Sequence, residues 1–163
     1  MPNIVVVCTA NICRSPVGEA VLRQRLEAQE AASGQGVRWQ VTSAGTWADR
    51  GQAASGFSVE IMAEQGLDIS DHASQPVDRA LLDDSDLLLC METGHSEALR
   101  AEFPRQAYKI HLLSEMAGPG YSVSDPYGSP KREYQRMVAE VTGLIDAGLP
   151  RIMDLALANE RRR

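Results

Sequence analysis

The sequence contains few cysteines and no long apolar run. Only three cysteines, Cys8, Cys13 and Cys90, occur among its 163 residues, and no two of them form a C-x-x-C pair. This excludes the disulfide framework of a small secreted protein and a structural zinc site. No stretch approaches the roughly 18 apolar residues needed to span a membrane, and no signal-peptide pattern follows Met1. We therefore expect a cytoplasmic protein without membrane contact or metal.

Basic charge is also scarce. The 16 Lys and Arg residues are outnumbered by 22 Asp and Glu residues, which gives a net charge of −6 and a pI near 5.1. Nucleic-acid partners are excluded, because they normally require a basic face. The three arginines at 161–163 are interpreted as a solvated tail. An acidic chain remains compatible with a small positive pocket that binds a compact anion.

The pattern of apolar residues alternates between strands and helices along a chain that fits one domain, residues 1–163. Strands are predicted at 3–8, 38–43, 85–91 and 107–112, and helices at 16–32, 57–65, 76–82, 93–103, 131–147 and 150–159. Strands separated by helices predict an α/β fold: an open, four-stranded parallel sheet flanked by helices on both faces. Ligands of such sheets bind beyond the carboxyl ends of the strands.

The first strand ends at Cys8, and a short turn leads from it to a helix start at Ser15-Pro16. A helix N-terminus presents unpaired N–H groups and partial positive charge, so a loop wrapped around it binds anions. The same field favours a thiolate over a thiol. Arg14 adds a planar guanidinium that suits two phosphate oxygens. These features predict a phosphate-binding loop after the first strand, which holds a phosphate over a sulfur nucleophile.

Three neighbouring residues suit such a loop. Asn11 tolerates the left-handed backbone that a tight loop requires. Ser15 is placed to cap the helix, to donate its hydroxyl to the Cys8 sulfur, or to do both. Pro16 is expected at the first helical position, where its missing N–H is harmless.

A thiolate that attacks phosphorus also needs a proton donor for the leaving oxygen. Asp125-Pro126-Tyr127 lies in a long loop before the last major helix. Pro126 restricts Asp125 to an extended backbone and stiffens the loop. Asp125 is therefore the candidate general acid.

The run Cys8-Thr9-Ala10-Asn11-Ile12-Cys13-Arg14-Ser15 resembles the signature of the low-molecular-weight protein tyrosine phosphatases. Asp125-Pro126-Tyr127 matches that family's late acid motif, and the segments 43–46 and 86–92 resemble its internal landmarks in the same order. The resemblance implies hydrolysis of a phosphotyrosine-containing protein or a small aryl phosphate, without a cofactor. It leaves the oligomeric state open, and we expect a monomer or weak oligomer.

The resemblance also implies roles for single residues. Cys8 would be the nucleophile that forms a phosphocysteine, Arg14 would bind the phosphate, and Asp125 would act as general acid and then as base. The other expected phosphate- or substrate-binding residues are Thr9, Ala10, Asn11, Ile12, Cys13, Ser15, Trp47 and Tyr127. Of these, Asn11 would hold the loop shape, Ser15 would hydrogen-bond the thiolate, and Ile12, Trp47 and Tyr127 would wall the cleft.

The resemblance leaves two loop positions, Ala10 and Cys13, with open roles. The family usually has glycine where this chain has Ala10, and a positive φ there would cost about 1 kcal/mol. In the family, the cysteine matching Cys13 can form a reversible disulfide with the nucleophile. A buried core cysteine is an equally good interpretation of Cys13. His72 and His95 are loop and helix residues; either could contact the site indirectly, but an ordinary structural role is favoured.

Three other functions are weighed against this one. Bacterial protein-arginine phosphatases have a threonine at the position of Ile12, whose branched apolar side chain favours an aromatic ester. Thioredoxin-coupled arsenate reductases need relay cysteines on a mobile segment, whereas Cys90 lies within an apolar strand. A phosphate-binding module without catalysis would keep Arg14 but lose Cys8 or Asp125.

Overall fold

Four parallel strands form the centre of the molecule, and the computed structural model describes all 163 residues, Met1–Arg163. The elements are β1 (Asn3–Cys8), α1 (Arg14–Ser33), β2 (Gln40–Gly45), α2 (Gly56–Glu64), α3 (Arg79–Asp84), β3 (Leu87–Cys90), α4 (Thr93–Glu102), β4 (Ile110–Leu112) and α5 (Lys131–Glu160). Short 3-10 segments at Pro104–Lys109 and Ser114–Met116 flank β4. No helix combines the length and apolar composition that crossing a bilayer requires.

The strand order is β2-β1-β3-β4, with every pair parallel. β1 is central, and all six of its residues are buried, as expected for a strand covered on both faces. The chain leaves β1 toward β2 on one side and returns to β3 on the other. This change of direction opens a crevice beyond the carboxyl ends of the strands. Cys8 lies at that end of β1, paired in register with Gly45 of β2.

Alternate residues of the strands face two separate apolar layers. Ile4, Val6 and Leu89 pack with α1, α2 and α5. Val5 and Val7 belong to a smaller layer with Leu82 of α3 and Leu99 of α4. The period of two residues in a strand therefore places helices on both faces, which confirms the predicted fold.

The two predicted C-terminal helices are one, which corrects that prediction. α5 runs unbroken through Pro150. A proline inside a helix removes one hydrogen bond and costs about 3 kcal/mol. Burial of the apolar stripe of α5 outweighs this cost, because the stripe continues on both sides of Pro150 through Ile145, Ile152 and Ala156. Gly148 lets the helix lie against Met116, where an added Cβ would be only 2.6 Å from the Met116 Cβ.

Two other helix boundaries differ from the prediction. α3 begins at Arg79 because the Asp78 side chain accepts the Leu81 N–H and caps it, while Pro76 bridges to Gly45 beside β2. α1 begins at Arg14, two residues before Pro16. Pro16 still lies in the first turn, where its N–H would have no partner within the helix.

Candidate active site

The backbone of the loop from Cys8 to Arg14 turns its carbonyl groups outward. The Cys8, Thr9 and Ile12 carbonyls accept backbone N–H groups at 3.0, 2.9 and 2.7 Å. The Asn11 carbonyl accepts the His72 Nε2–H at 2.6 Å. By contrast, the N–H groups of residues 9, 10, 12 and 13, which share peptide planes with those carbonyls, have no hydrogen-bond partner in the protein. Since an amide turns its N–H opposite to its carbonyl, these groups form a ring of donors suited to an oxyanion.

Asn11 makes the tight turn of this loop. Its φ is +58°, and it is the only residue other than glycine with a positive φ. This confirms the left-handed backbone predicted for an asparagine at this position. Ala10 has no positive φ, so the strain that its methyl group would cause does not arise.

The Asn11 side chain also sets the direction of a buried hydrogen-bond chain. Its Nδ2 donates to the Ser15 and Ser43 hydroxyl oxygens at 2.7 and 2.9 Å. Because an amide nitrogen only donates, each hydroxyl sends its own hydrogen elsewhere. Ser43 donates to the Glu19 carboxylate at 2.6 Å. Ser15 lies 3.0 Å from the Cys8 sulfur, which is the remaining partner for its hydroxyl hydrogen.

Ser15 does not cap α1. The N-cap residue of that helix is Cys13, and no side chain accepts its first N–H groups. Of the two roles expected for Ser15, helix capping and contact with the Cys8 sulfur, the structure shows the second.

Arg14 is only 1% exposed and is held on one side by fixed acceptors. Its Nη1 lies 2.7 Å from the Val123 carbonyl and 2.7 Å from the Glu92 carboxylate. Its Nη2 lies 3.6 Å from the Asp125 carboxylate. The Nε atom is buried without a partner. A guanidinium that is anchored on one edge and retains a free donor is suited to bind a phosphate oxygen.

Asp125 combines anchoring with access to solvent. One of its carboxylate oxygens accepts the Tyr127 N–H at 3.0 Å, and its side chain is 46% exposed. The carboxyl group can therefore exchange protons with water while its loop keeps it beside Arg14. This is a suitable position for a group that gives and later takes a proton.

These residues line one open cavity of about 330 Å³. Its walls are formed by Cys8, Thr9, Ala10, Ile12, Cys13, Arg14, Gln52, Asp125 and Tyr127. Asn11 and Ser15 lie buried behind the loop. Trp47 is not among the lining residues: its side chain is 86% exposed, and only its backbone N–H contacts the loop, at the Thr9 carbonyl.

Sequence reasoning misses the contact residue Gln52 and ranks two other contact residues, His72 and His95, too low. Gln52 comes from the irregular segment between β2 and α2, where no motif marks it. For His72 and His95 the sequence favours ordinary structural roles over indirect contact with the site, yet both contact the loop, at Asn11 and at Thr9. The signal available for His95 was its position just beyond the carboxyl end of β3, where ligands of such sheets gather.

The other two thiols have different surroundings. Cys13 lies 3.5 Å from the Tyr134 hydroxyl, and burial raises its pKa. Cys90 is enclosed in the sheet, and burial raises its pKa to about 12. All three cysteines are free, and no cluster of His, Cys, Asp or Glu is placed to hold a metal ion. Cys8 is thus the thiol with the shortest hydroxyl contact, 3.0 Å to Ser15 against 3.5 Å for Cys13, and it lines the cavity together with Arg14.

Comparison with known proteins gives matches over nearly the whole chain. The family model described as low molecular weight phosphotyrosine protein phosphatase matches residues 3–159. A probable low molecular weight protein-tyrosine-phosphatase, EpsP, from Ralstonia solanacearum is 36% identical over 153 residues, which cover 94% of this chain and 97% of that protein.

Two further relatives extend the comparison to structure and to a second activity. A crystal structure of a low molecular weight protein tyrosine phosphatase from T. tengcongensis superposes with a TM-score of 0.82 at 35% identity, covering 93% of this chain and 99% of the other. A protein-arginine-phosphatase from Bacillus subtilis is 31% identical over 144 residues, which cover 88% of this chain and 91% of that protein.

Proposed function

Since the chain belongs to the low molecular weight phosphotyrosine protein phosphatase family and is a cysteine-based phosphatase, we propose that it removes phosphate from phosphotyrosine in proteins or from small aryl phosphates, with Cys8, Arg14 and Asp125 as its catalytic residues. The observation that carries this proposal is that these three side chains line one cavity at the carboxyl end of β1.

In the first step, the Cys8 thiolate attacks phosphorus and the bond from phosphorus to the ester oxygen breaks. The loop N–H groups and Arg14 hold the three non-bridging oxygens, where negative charge collects in the transition state. Asp125 donates its proton to the departing phenolate oxygen, so that tyrosine leaves as the neutral phenol. The product is a phosphocysteine at Cys8 and a deprotonated Asp125.

In the second step, Asp125 accepts a proton from a water molecule that attacks the phosphocysteine. The S–P bond breaks, inorganic phosphate leaves, and Cys8 departs as a thiolate. The Ser15 hydroxyl, 3.0 Å from the sulfur, stabilises that thiolate and makes it a better leaving group. The enzyme returns to its starting protonation state.

The walls of the cavity support an aromatic ester. Ile12 and Ala10 present apolar surface near the cysteine, and Tyr127, 71% exposed, adds an aromatic ring at the acid loop. A phenyl ring gains by burial against such surfaces. A phosphoarginine would instead place its charged guanidinium against these surfaces. That charge would lose its hydration, and Asp125 is the only carboxylate among the lining residues that could compensate for the loss.

The test is steady-state kinetics on one peptide that carries phosphotyrosine, phosphoserine or phosphoarginine at the same position. We expect phosphotyrosine to have the highest kcat/KM. Cys8→Ser should abolish turnover, whereas Cys90→Ala, the matched loss of a distant thiol, should retain it. Ile12→Thr should shift the preference toward phosphoarginine. A wild-type preference for phosphoarginine would overturn the proposed substrate, and full activity of Cys8→Ser would overturn the mechanism.

A further inference from the structure

His95 connects α4 to the phosphate-binding loop through one short hydrogen bond. It is buried in the first turn of α4, and its Nε2 lies 2.8 Å from the Thr9 hydroxyl oxygen. The same nitrogen is 3.4 Å from the Glu92 carboxylate, a longer contact. Thr9 directly follows Cys8 and lines the cavity. A residue of α4 thus contacts a side chain of the binding loop itself.

The backbone of α4 determines which ring nitrogen of His95 carries the proton. The Glu92 backbone N–H donates to His95 Nδ1 at 3.2 Å. This bond is part of a capping box, in which the Glu92 side chain in turn accepts the backbone N–H of His95. Nδ1 is therefore an acceptor, and a neutral ring carries its hydrogen on Nε2. Burial lowers the pKa of His95, which also favours the neutral ring. Nε2 is accordingly a donor toward Thr9.

The Thr9 hydroxyl oxygen also accepts from a second donor. Arg14 Nη2 lies 3.4 Å from the same oxygen. A hydroxyl oxygen has two lone pairs, and here both face donors that have no lone pair to offer in return. The Thr9 hydrogen has no acceptor in either neighbour, which leaves it free to donate into the cavity that Thr9 lines.

We propose that His95 is a positioning residue, which acts through Thr9 by turning its hydroxyl hydrogen toward a phosphoryl oxygen bound in the loop. The inference rests on the proposed function, since it adds a side-chain donor to the binding of that phosphate. The hydrogen bond from Thr9 is charge-assisted, because its acceptor is an anionic oxygen. Two donors, Arg14 and His95, polarise the hydroxyl and strengthen this bond.

The experiment measures the equilibrium affinity for inorganic phosphate by calorimetry. Thr9→Val keeps the shape of the side chain but removes the hydroxyl, and should weaken phosphate binding roughly tenfold to a hundredfold. Thr9→Ser, the matched control, keeps the hydroxyl and should retain most of the affinity. His95→Phe keeps a planar ring at that helix position but has no donor to Thr9, and should also weaken binding. Parallel changes in kcat/KM are expected.

The double variant separates positioning from a general structural role. If His95 acts through Thr9, His95→Phe should cause no further loss of phosphate affinity in the Thr9→Val background. An equal loss in both backgrounds, or unchanged affinity in Thr9→Val, would overturn the proposal. Because calorimetry needs no turnover, failure to hydrolyse aryl phosphates would count against the proposed function alone.

A spectroscopic readout on the wild-type protein requires no substitution. Two-bond ¹H–¹⁵N spectra distinguish a protonated ring nitrogen from an unprotonated one. At neutral pH, we expect His95 with its hydrogen on Nε2 and a bare Nδ1. A hydrogen on Nδ1 would make Nε2 an acceptor from Thr9, turn the hydroxyl away from the cavity, and overturn the inference.

Discussion

Replacing Gly45 by alanine tests whether the backbone of β2 sets the shape of the phosphate-binding loop. A Cβ at Gly45 would lie 2.3 Å from the Thr9 carbonyl oxygen and 3.0 Å from the Asn11 nitrogen. Ordinary van der Waals contact begins at 3.4 Å, so the Thr9 carbonyl must move by about 1 Å. A displacement of about 1 Å in a catalytic site can lower the rate ~100-fold. We expect kcat/KM on an aryl phosphate to fall by about that factor, with weaker phosphate binding.

A matched control is Gly148→Ala in α5, whose Cβ would lie 2.6 Å from the Met116 Cβ, away from the cavity. Both variants should lose stability, by about 1–3 kcal/mol as is typical of overpacking, which urea unfolding will measure. Only Gly45→Ala should lose activity while it is still folded. A folded Gly45→Ala protein with wild-type kcat/KM would refute the argument that contact between β2 and the loop sets the geometry of the site.

Three further predictions concern the acid, His95 and a helix glycine. Asp125→Asn should slow aryl phosphates with poor leaving groups far more than those with good ones; equal losses in kcat would contradict a general-acid role. Burial lowers the pKa of His95 below its ordinary 6.5, so its contribution to stability is full above pH 6.5 and declines as pH falls toward the lowered pKa. The stability difference between wild type and His95→Gln, from urea unfolding, should therefore change in that acidic window; a constant difference would contradict the assignment. Gly143→Ala, where no atom lies within 4 Å of the added Cβ, should raise stability by about 0.5–1 kcal/mol, and a lower urea midpoint would contradict this.

Apart from Asp125, which its Asp-Pro-Tyr motif marks, the parts of the site that could be predicted from the sequence are those whose chemistry is local. The apolar run before Cys8 predicts a buried strand, and Arg14 and Ser15 follow the short loop in the first turn of α1. Asn11 was assigned a left-handed backbone because few other side chains tolerate it, and its φ of +58° agrees. Such residues reveal themselves because their neighbours in sequence are also their neighbours in space.

The remaining contacts depend on tertiary structure, which single-sequence patterns do not contain. The His95–Thr9 hydrogen bond joins residues 86 positions apart, and Gln52 reaches the cavity from an irregular segment. Pro150 misled the prediction for the same reason. Its local preference is to end a helix, whereas the decisive term is burial of the α5 stripe against the rest of the molecule.

The unbroken α5 also has a consequence for synthesis of the chain. It supplies Tyr134, Met137, Val138, Val141, Ile145, Ile152 and Ala156 to the layer that covers one face of the sheet. Until this helix leaves the ribosome, apolar strand residues such as Ile4 and Leu89 lack much of their cover. A nascent chain that has already made the whole catalytic loop therefore still exposes an apolar sheet face, the kind of surface that chaperones bind and that aggregates. The nucleophile and its loop are translated first, but they become a working site last.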